Sequence, residues 1–239
     1  MTYLKKFKPH PVDWTQEKIS RIWDFYSRGD NDYFSKSVGD SIIKLTKKKF
    51  TLQGKVIDFG CGSGHLIEKL IKEKMLSAGF DLSEDSLHTV EEKFKTNPYF
   101  LGTFQSKSFP TKIKDSSFDV VFFIETIEHL LPEETDLILK DLNRIIKKNG
   151  HVVLTTRNEE NLEERKVICP DCGAIYHRKQ HISSFDASSL SNLLKQAGFS
   201  TVFCQPVLLT YTRITWLRRL YQNIFRQKLP TLFYIGKKD

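Results

Sequence analysis

The sequence predicts an α/β protein: a doubly wound, Rossmann-like, seven-stranded, mostly parallel sheet with helices on both faces and an antiparallel last strand. Three observations carry this. From residue 55 onward, short apolar segments alternate with helix-patterned ones, the rhythm of parallel strands joined by crossover helices. Phe118–Ile124 (FDVVFFI) is apolar almost without a break, as a strand buried on both faces must be. A glycine-rich turn, Gly60–Gly64, joins the first such strand to the helix after it.

Residues 1–50 read as a helical cap. Ile19, Ile22, Trp23 and Tyr26 recur at the spacing of one apolar helix face. A break at Gly29–Asp32 follows. A second helix then carries Ile42, Ile43 and Leu45 to Lys47–Lys49, cations placed where a helix C-terminus favours them. Residues 51–239 form the main unit. Lys55–Phe59 is its first strand, Leu66–Leu76 a helix, and Ala78–Leu82 the second strand. Ser83–Lys95 is a helix opened by Ser-Glu-Asp, and Tyr99–Phe104 is a third strand. After Phe118–Ile124 comes a helix, Pro132–Lys148, with Pro-Glu-Glu at its start and Lys-Lys-Asn-Gly at its end. His151–Thr156 is the next strand. Residues 157–184 break the rhythm as an insertion. Asp186–Ala197 is a helix closed by Gly198, Phe199–Leu209 a strand, and Thr231–Gly236 the last strand.

Composition narrows the class. The 239 residues are 39% hydrophobic and 12% aromatic, which excludes a disordered chain. That length buries a full core without disulfides. No run of about 18 apolar residues is present, so no membrane-spanning helix is expected. The basic start, MTYLKKFKPHPVDW, lacks the apolar stretch of a secretory signal. Four scattered cysteines fit a reducing, cytoplasmic setting. The net charge is +8, but seven basic residues against one acid in Tyr211–Asp239 supply +6 of it. The basicity is therefore local.

The run Val56-Ile57-Asp58-Phe59-Gly60-Cys61-Gly62-Ser63-Gly64 closes a strand and opens a helix. Glycines there let the backbone turn sharply and lie against a ligand, with helix N-terminal amides facing it. The spacing is acid-x-Gly-x-Gly-x-Gly. The dinucleotide fingerprint fails because His65 stands at its last glycine, and no Gly-Lys-Ser/Thr follows as in a P-loop. A second acid, Asp81, ends the next strand, where a carboxylate can accept both hydroxyls of a ribose.

Taken in order, VIDFGCGSGHL, GFDLSEDSL, SFDVVFFIETIEHL and RIIKKNGHVVLTTRN resemble the class I S-adenosylmethionine-dependent methyltransferases, in particular the small-molecule branch that includes the quinone-biosynthesis O-methyltransferases. The resemblance spans roughly residues 50–204. It implies S-adenosylmethionine as cofactor, with Gly60, Cys61, Gly62 and Gly64 packed on its methionine part and Asp58 orienting the amino-acid end. It places Asp81 on the ribose hydroxyls, Leu82 on the adenine, and Ile124 near the sulfonium. Where many relatives carry Gly-Asp at the end of the third strand, this chain has Gly102-Thr103. The adenine contact then falls to Thr103, the Phe104 amide or Gln105. Past the fourth strand, His129 is either a general base or a residue that only positions the loop. Glu125 and Glu128 share that ambiguity.

Residues 169–181 hold the spacing C-x2-C-x4-H-x3-H in Cys169, Cys172, His177 and His181. Two thiolates and two imidazoles suit a closed tetrahedral zinc site that would order the insertion. Free thiols are the competing reading. The resemblance adds another, in which His181, just before the helix start Ile-Ser-Ser-Phe185, faces the acceptor as a catalytic group. The insertion is expected to wall the acceptor pocket, opposite Tyr33 and Phe34, for which core packing is the competing and favoured reading.

The stretch 212–228 interleaves Arg213, Arg218, Arg219, Arg226 and Lys228 with apolar residues at three-four spacing, an amphipathic helix. It packs on the sheet, lies at an inner membrane surface as a peripheral contact, or meets RNA phosphate. The expected function is O-methylation of a small-molecule, glycan or lipid-precursor acceptor by in-line transfer. The alternatives are an RNA methyltransferase and a non-catalytic cofactor- or zinc-binding module. Nucleic acid is the less favoured partner, because Ile-Glu-Thr-Ile replaces the Asn/Asp-Pro-Pro-Tyr/Phe motif of amino-methylating enzymes.

Overall fold

The structure is a computed structural model and describes residues 8–27, 34–106, 108–209 and 229–239. Tyr33 and the basic stretch 212–228 lie outside the described residues. In chain order the elements are β1 (His10–Pro11), α1 (Gln16–Ser27), α2 (Phe34–Lys47), β2 (Lys55–Phe59), α3 (His65–Lys72), β3 (Leu76–Phe80), α4 (Glu84–Phe94) and β4 (Phe100–Phe104). Then come β5 (Phe118–Ile124), a 3-10 turn (Ile127–His129), α5 (Pro132–Ile145), β6 (Ile146–Arg157), β7 (Lys166–Ile168), β8 (Ala174–His177), α6 (Ala187–Gln196), β9 (Phe199–Val207) and β10 (Thr231–Lys238).

The main sheet has seven strands in the order β4-β3-β2-β5-β6-β10-β9. Pairs from β4 to β6 are parallel. β10 runs antiparallel to both β6 and β9, as expected of the last strand. Successive side chains of a strand point to opposite faces, and the two cores follow that alternation. Ile57, Phe59, Val121 and Phe123 face α5 and α6 through Ile138, Leu142, Leu190 and Leu194. Val56, Val120 and Phe122 face α2 and α3 through Ile42, Ile43, Leu66 and Leu70. Phe34 packs on this second core, the structural role that competed with a pocket wall. Chain order reverses between β2 and β5, so a crevice for ligands opens at their carboxyl ends.

Two helix ends differ most from expectation. The helix after the glycine turn stops at Lys72, because Lys74 adopts φ +58 and Leu76 already pairs in β3. Lys-Lys-Asn-Gly does not end a helix. Ile146 pairs with Phe118 and His151 with Val120, so the four residues between them form a bulged part of β6, with Asn149 at φ +63. Burying Ile146 beside Phe118 outweighs the helix-end pattern of the lysines.

The insertion folds as a hairpin of β7 and β8, and β1 adds to β8 in parallel. Amides of His10 and Val12 donate to Gly173 and Ile175 oxygens at 3.0 Å each. The N-terminal segment is thus tied to the insertion across 160 residues of chain, a pairing that two strand residues gave no pattern to predict. No described helix is long and apolar enough to cross a membrane.

Candidate cofactor and acceptor site

β2 delivers Asp58, buried, to the crevice, and the chain turns into α3 through Gly60, Gly62 and Gly64. Gly60 has φ +90, and a Cβ there would lie 2.6 Å from Thr126 Oγ1. Only glycine fits this position. The turn is fastened to the end of β3. The Gly60 and Cys61 amides donate to the Phe80 oxygen at 2.7 and 3.0 Å, and the Gly62 amide donates to Asp81 Oδ2 at 2.8 Å. Asp81 Oδ1 accepts the Ser83 amide at 2.9 Å, while the Ser83 hydroxyl caps α4. Cys61 turns inward among Ile67, Leu87 and Val90, against Gly79. Burial, then Asp81 and Asp58, push its thiol well above the usual range.

Burial, and next the charge of Asp81, raise the Asp58 carboxyl well above its ordinary value. Burial also raises Asp81, against the pull of the Ser83 and Gly62 amides. Two carboxyls closing adjacent parallel strands are thus short of positive charge. An ammonium or sulfonium and a pair of hydroxyls would supply what the site lacks, so this donor set fits S-adenosylmethionine. At the adenine end, Thr103 is tied to α4. Its amide and its hydroxyl both donate to Glu91 Oε1, at 2.7 and 2.8 Å, which spends its one hydroxyl proton on α4. The Phe104 ring meets Phe118 edge-on. Gln105 Nε2 reaches the Leu82 oxygen at 3.5 Å, and Leu82 packs on the core beneath.

β5 ends on buried Ile124, and Glu125 follows with φ +47, in the left-handed region that strains a side-chain-bearing residue. Burial pushes the Glu125 carboxyl up to about 7. Glu128, 1% exposed, accepts the Thr156 hydroxyl on Oε2 at 2.9 Å. Oε1 of both glutamates is buried without a partner among the described residues. Burial and then Glu125 raise Glu128 well above the carboxylate range.

The insertion closes over this segment. Amides of Ile182 and Ser183 donate to the Glu128 backbone oxygen at 2.8 and 3.2 Å. His129 Nδ1 lies 3.3 Å from the Gln180 oxygen. Gln180 in turn gives Nε2 to the His129 oxygen at 3.1 Å and takes Trp23 Nε1 on Oε1 at 3.0 Å. Burial and then His181 lower His129 to about 3, so this imidazole is neutral. His181 Nδ1 contacts Glu160 Oε2, and its ring lies 4.9 Å from that of His129 and 4.6 Å from that of His177. Burial opposes ionisation of Glu160, yet His181, His177 and Arg157 outweigh it and hold its carboxyl below the usual range.

The four-ligand Cys/His site is not formed. Among the described residues, the groups of donors close enough to share an ion are Glu128–His129–His181 and Glu160–His177–His181, with no cysteine in either. The reason is β8. Four extended residues carry His177 about 10 Å from the turn that holds Cys169 and Cys172. Three side chains that hold this arrangement together escaped sequence reasoning. Glu160 is a single acid in a loop, Gln180 a single amide, and Trp23 read only as a helix face. None carries a spacing that marks it.

A methyltransferase domain family model matches residues 31–202. The chain belongs to the methyltransferase domain family. A relative named malonyl-[acyl-carrier protein] O-methyltransferase, from Paenibacillus sp. (strain JDR-2), is 25% identical over 178 residues, 69% of this chain and 62% of that protein. One named ubiquinone biosynthesis O-methyltransferase, from Coxiella burnetii (strain Dugway 5J108-111), is 30% identical over 118 residues, 48% of this chain and 49% of its own. The chain thus spans about half to two thirds of the length of these family members. Among solved structures, 1,6-didemethyltoxoflavin-N1-methyltransferase of Burkholderia thailandensis, with its ligand and S-adenosylhomocysteine bound, superposes with a TM-score of 0.65 at 14% identity, covering 97% of this chain and 93% of that one. That likeness establishes the fold.

Proposed function

We propose that the protein transfers the methyl group of S-adenosylmethionine to an oxygen of a small-molecule acceptor. The observation that carries this reading is the pair of carboxyls, Asp58 and Asp81, at the carboxyl ends of adjacent parallel strands, with the glycine turn hydrogen-bonded to one of them. Family membership and relatives named as O-methyltransferases support it. When bound, the cofactor supplies a methyl group on a positive sulfur, activated for direct displacement.

The chain's part is to bind, align and exclude water. Asp58 faces the ammonium end and Asp81 the ribose hydroxyls. The Gly60, Gly62 and Gly64 backbone leaves room for close approach. Ile124 closes the floor beside the reacting centre. The loop after β8, docked on the segment after β5, walls the acceptor side. His181, with Nδ1 held by Glu160, keeps its Nε2 lone pair free on the acceptor side. His129 acts as a neutral packing and hydrogen-bonding partner of the insertion. Incubation with methyl-labelled S-adenosylmethionine and a panel of phenols, carboxylic acids, sugars and isoprenoid phenols tests this. The expected result is label on oxygen of one acceptor class. Label on RNA, or on nitrogen only, overturns the reading.

A further inference from the structure

We propose that Glu128, His129 and His181 bind one divalent transition-metal ion of the zinc class. One ligand atom from each lies within 4.8 Å of the others. Hydrogen bonding shows which atoms are free to ligate. His129 Nδ1 stands 3.3 Å from the Gln180 backbone oxygen, which only accepts, so Nδ1 carries the proton and Nε2 keeps its lone pair. His181 Nδ1 meets the Glu160 carboxylate, so it too donates there and frees Nε2. Glu128 contributes Oε1, buried and without a partner among the described residues, while Thr156 holds Oε2. Two imidazole lone pairs and one undonated carboxylate oxygen form a ligand set for borderline divalent ions. Histidines that bind metals give their other N–H to a carbonyl or carboxylate, and both do so here.

The same logic excludes His177. Its Nδ1 accepts the amides of Lys179 and His181, at 3.3 and 3.2 Å, so its proton sits on Nε2, 3.9 Å from Glu160 Oε1. Arg157 and Arg165 approach Glu160 rather than the three ligands. Cys169 and Cys172 take no part. Three protein ligands leave a tetrahedral ion one open position. On the methyl-transfer reading, an acceptor hydroxyl takes it and releases its proton to solvent more readily. Binding of the ion itself does not rest on that reading.

The test is titration of chelator-treated full-length protein with Zn2+ alone, followed by elemental analysis after gel filtration. One equivalent is expected. Glu128→Gln or His181→Gln weakens binding about 100-fold or more, and Glu160→Gln about 10- to 100-fold. The Cys169→Ser/Cys172→Ser double variant retains the full equivalent. Co2+ in place of Zn2+ gives visible d–d bands and no thiolate-to-cobalt band. No bound zinc in the wild type, loss of the ion in the double serine variant, or a thiolate band overturns the proposal. The cobalt spectrum needs only the wild type, so an unfolded variant does not blunt the test. S-adenosylhomocysteine binding to the metal-free protein is measured alongside. If the nucleoside binds and zinc does not, the metal site alone fails.

Discussion

Asp81 Oδ2 accepts the Gly62 amide at 2.8 Å, so one carboxylate both closes β3 and holds the turn that follows β2. The residue read as a ribose ligand is therefore also the clasp of the glycine loop. Asp81→Ala removes both functions. Since a hydrogen bond to a charged group contributes about 1.5–3 kcal/mol, S-adenosylhomocysteine affinity should fall about 10- to 100-fold by equilibrium dialysis. An unchanged affinity in a folded variant contradicts this role.

Gly60 faces Thr126 with no room for a side chain. Gly60→Ala meets a clash and an unfavourable φ together, and should cost about 1–3 kcal/mol. That lowers the melting temperature by several degrees for a chain of this size. Adding Thr126→Ala should restore only part of the loss, because the backbone strain stays. Full recovery in the double variant would show that strain plays no part.

Arg144 on α5 ties the segment before β5 to the helix. Nε donates to Asp141 Oδ1 at 2.8 Å, Nη1 to the Ile113 oxygen at 2.6 Å and Nη2 to the Thr111 oxygen at 3.0 Å. The Asp141 side chain is fully buried. Arg144→Met leaves that carboxylate with the Thr111 amide as its remaining hydrogen-bond donor among the described residues, a loss of about 2–4 kcal/mol measurable by urea unfolding. A change under about 0.5 kcal/mol contradicts the network.

Glu68 joins α3 to α4 by accepting from Lys72 at 2.9 Å and Lys93 at 2.6 Å. Those two lysines lower its carboxyl from 4.5 to about 2. A depressed carboxylate stabilises the fold above its unfolded value and loses that contribution as pH falls. Solvent screens the pair, so Glu68→Gln should cost under about 1 kcal/mol at pH 7. The gap to wild type should close between about 4.5 and about 2, and should shrink in salt. A gap that widens on acidification contradicts the assignment.

The sheet and the glycine turn were readable because both depend on local pattern. Asp58, the three glycines and Asp81 sit at fixed offsets from strand ends, and the apolar run Phe118–Ile124 can only be buried. Boundaries set by tertiary pairing were not readable, as with Ile146, whose strand role depends on Phe118. The Cys/His spacing misled because spacing along the chain says nothing of β8 being extended. The same spacing did mark His181, whose partner Glu160 sits 21 residues earlier with no pattern to announce it. The tie from Thr103 to Glu91 was hidden for a similar reason, since a contact between β4 and α4 leaves no trace in either segment alone.

The central claim is that the crevice between Asp58 and Asp81 binds S-adenosylmethionine. Calorimetric titration of the wild-type protein with S-adenosylhomocysteine tests it most directly. One site per chain with a dissociation constant near the micromolar range, about −8 kcal/mol, is expected. A folded protein that takes up no S-adenosylhomocysteine or S-adenosylmethionine at millimolar concentration contradicts it.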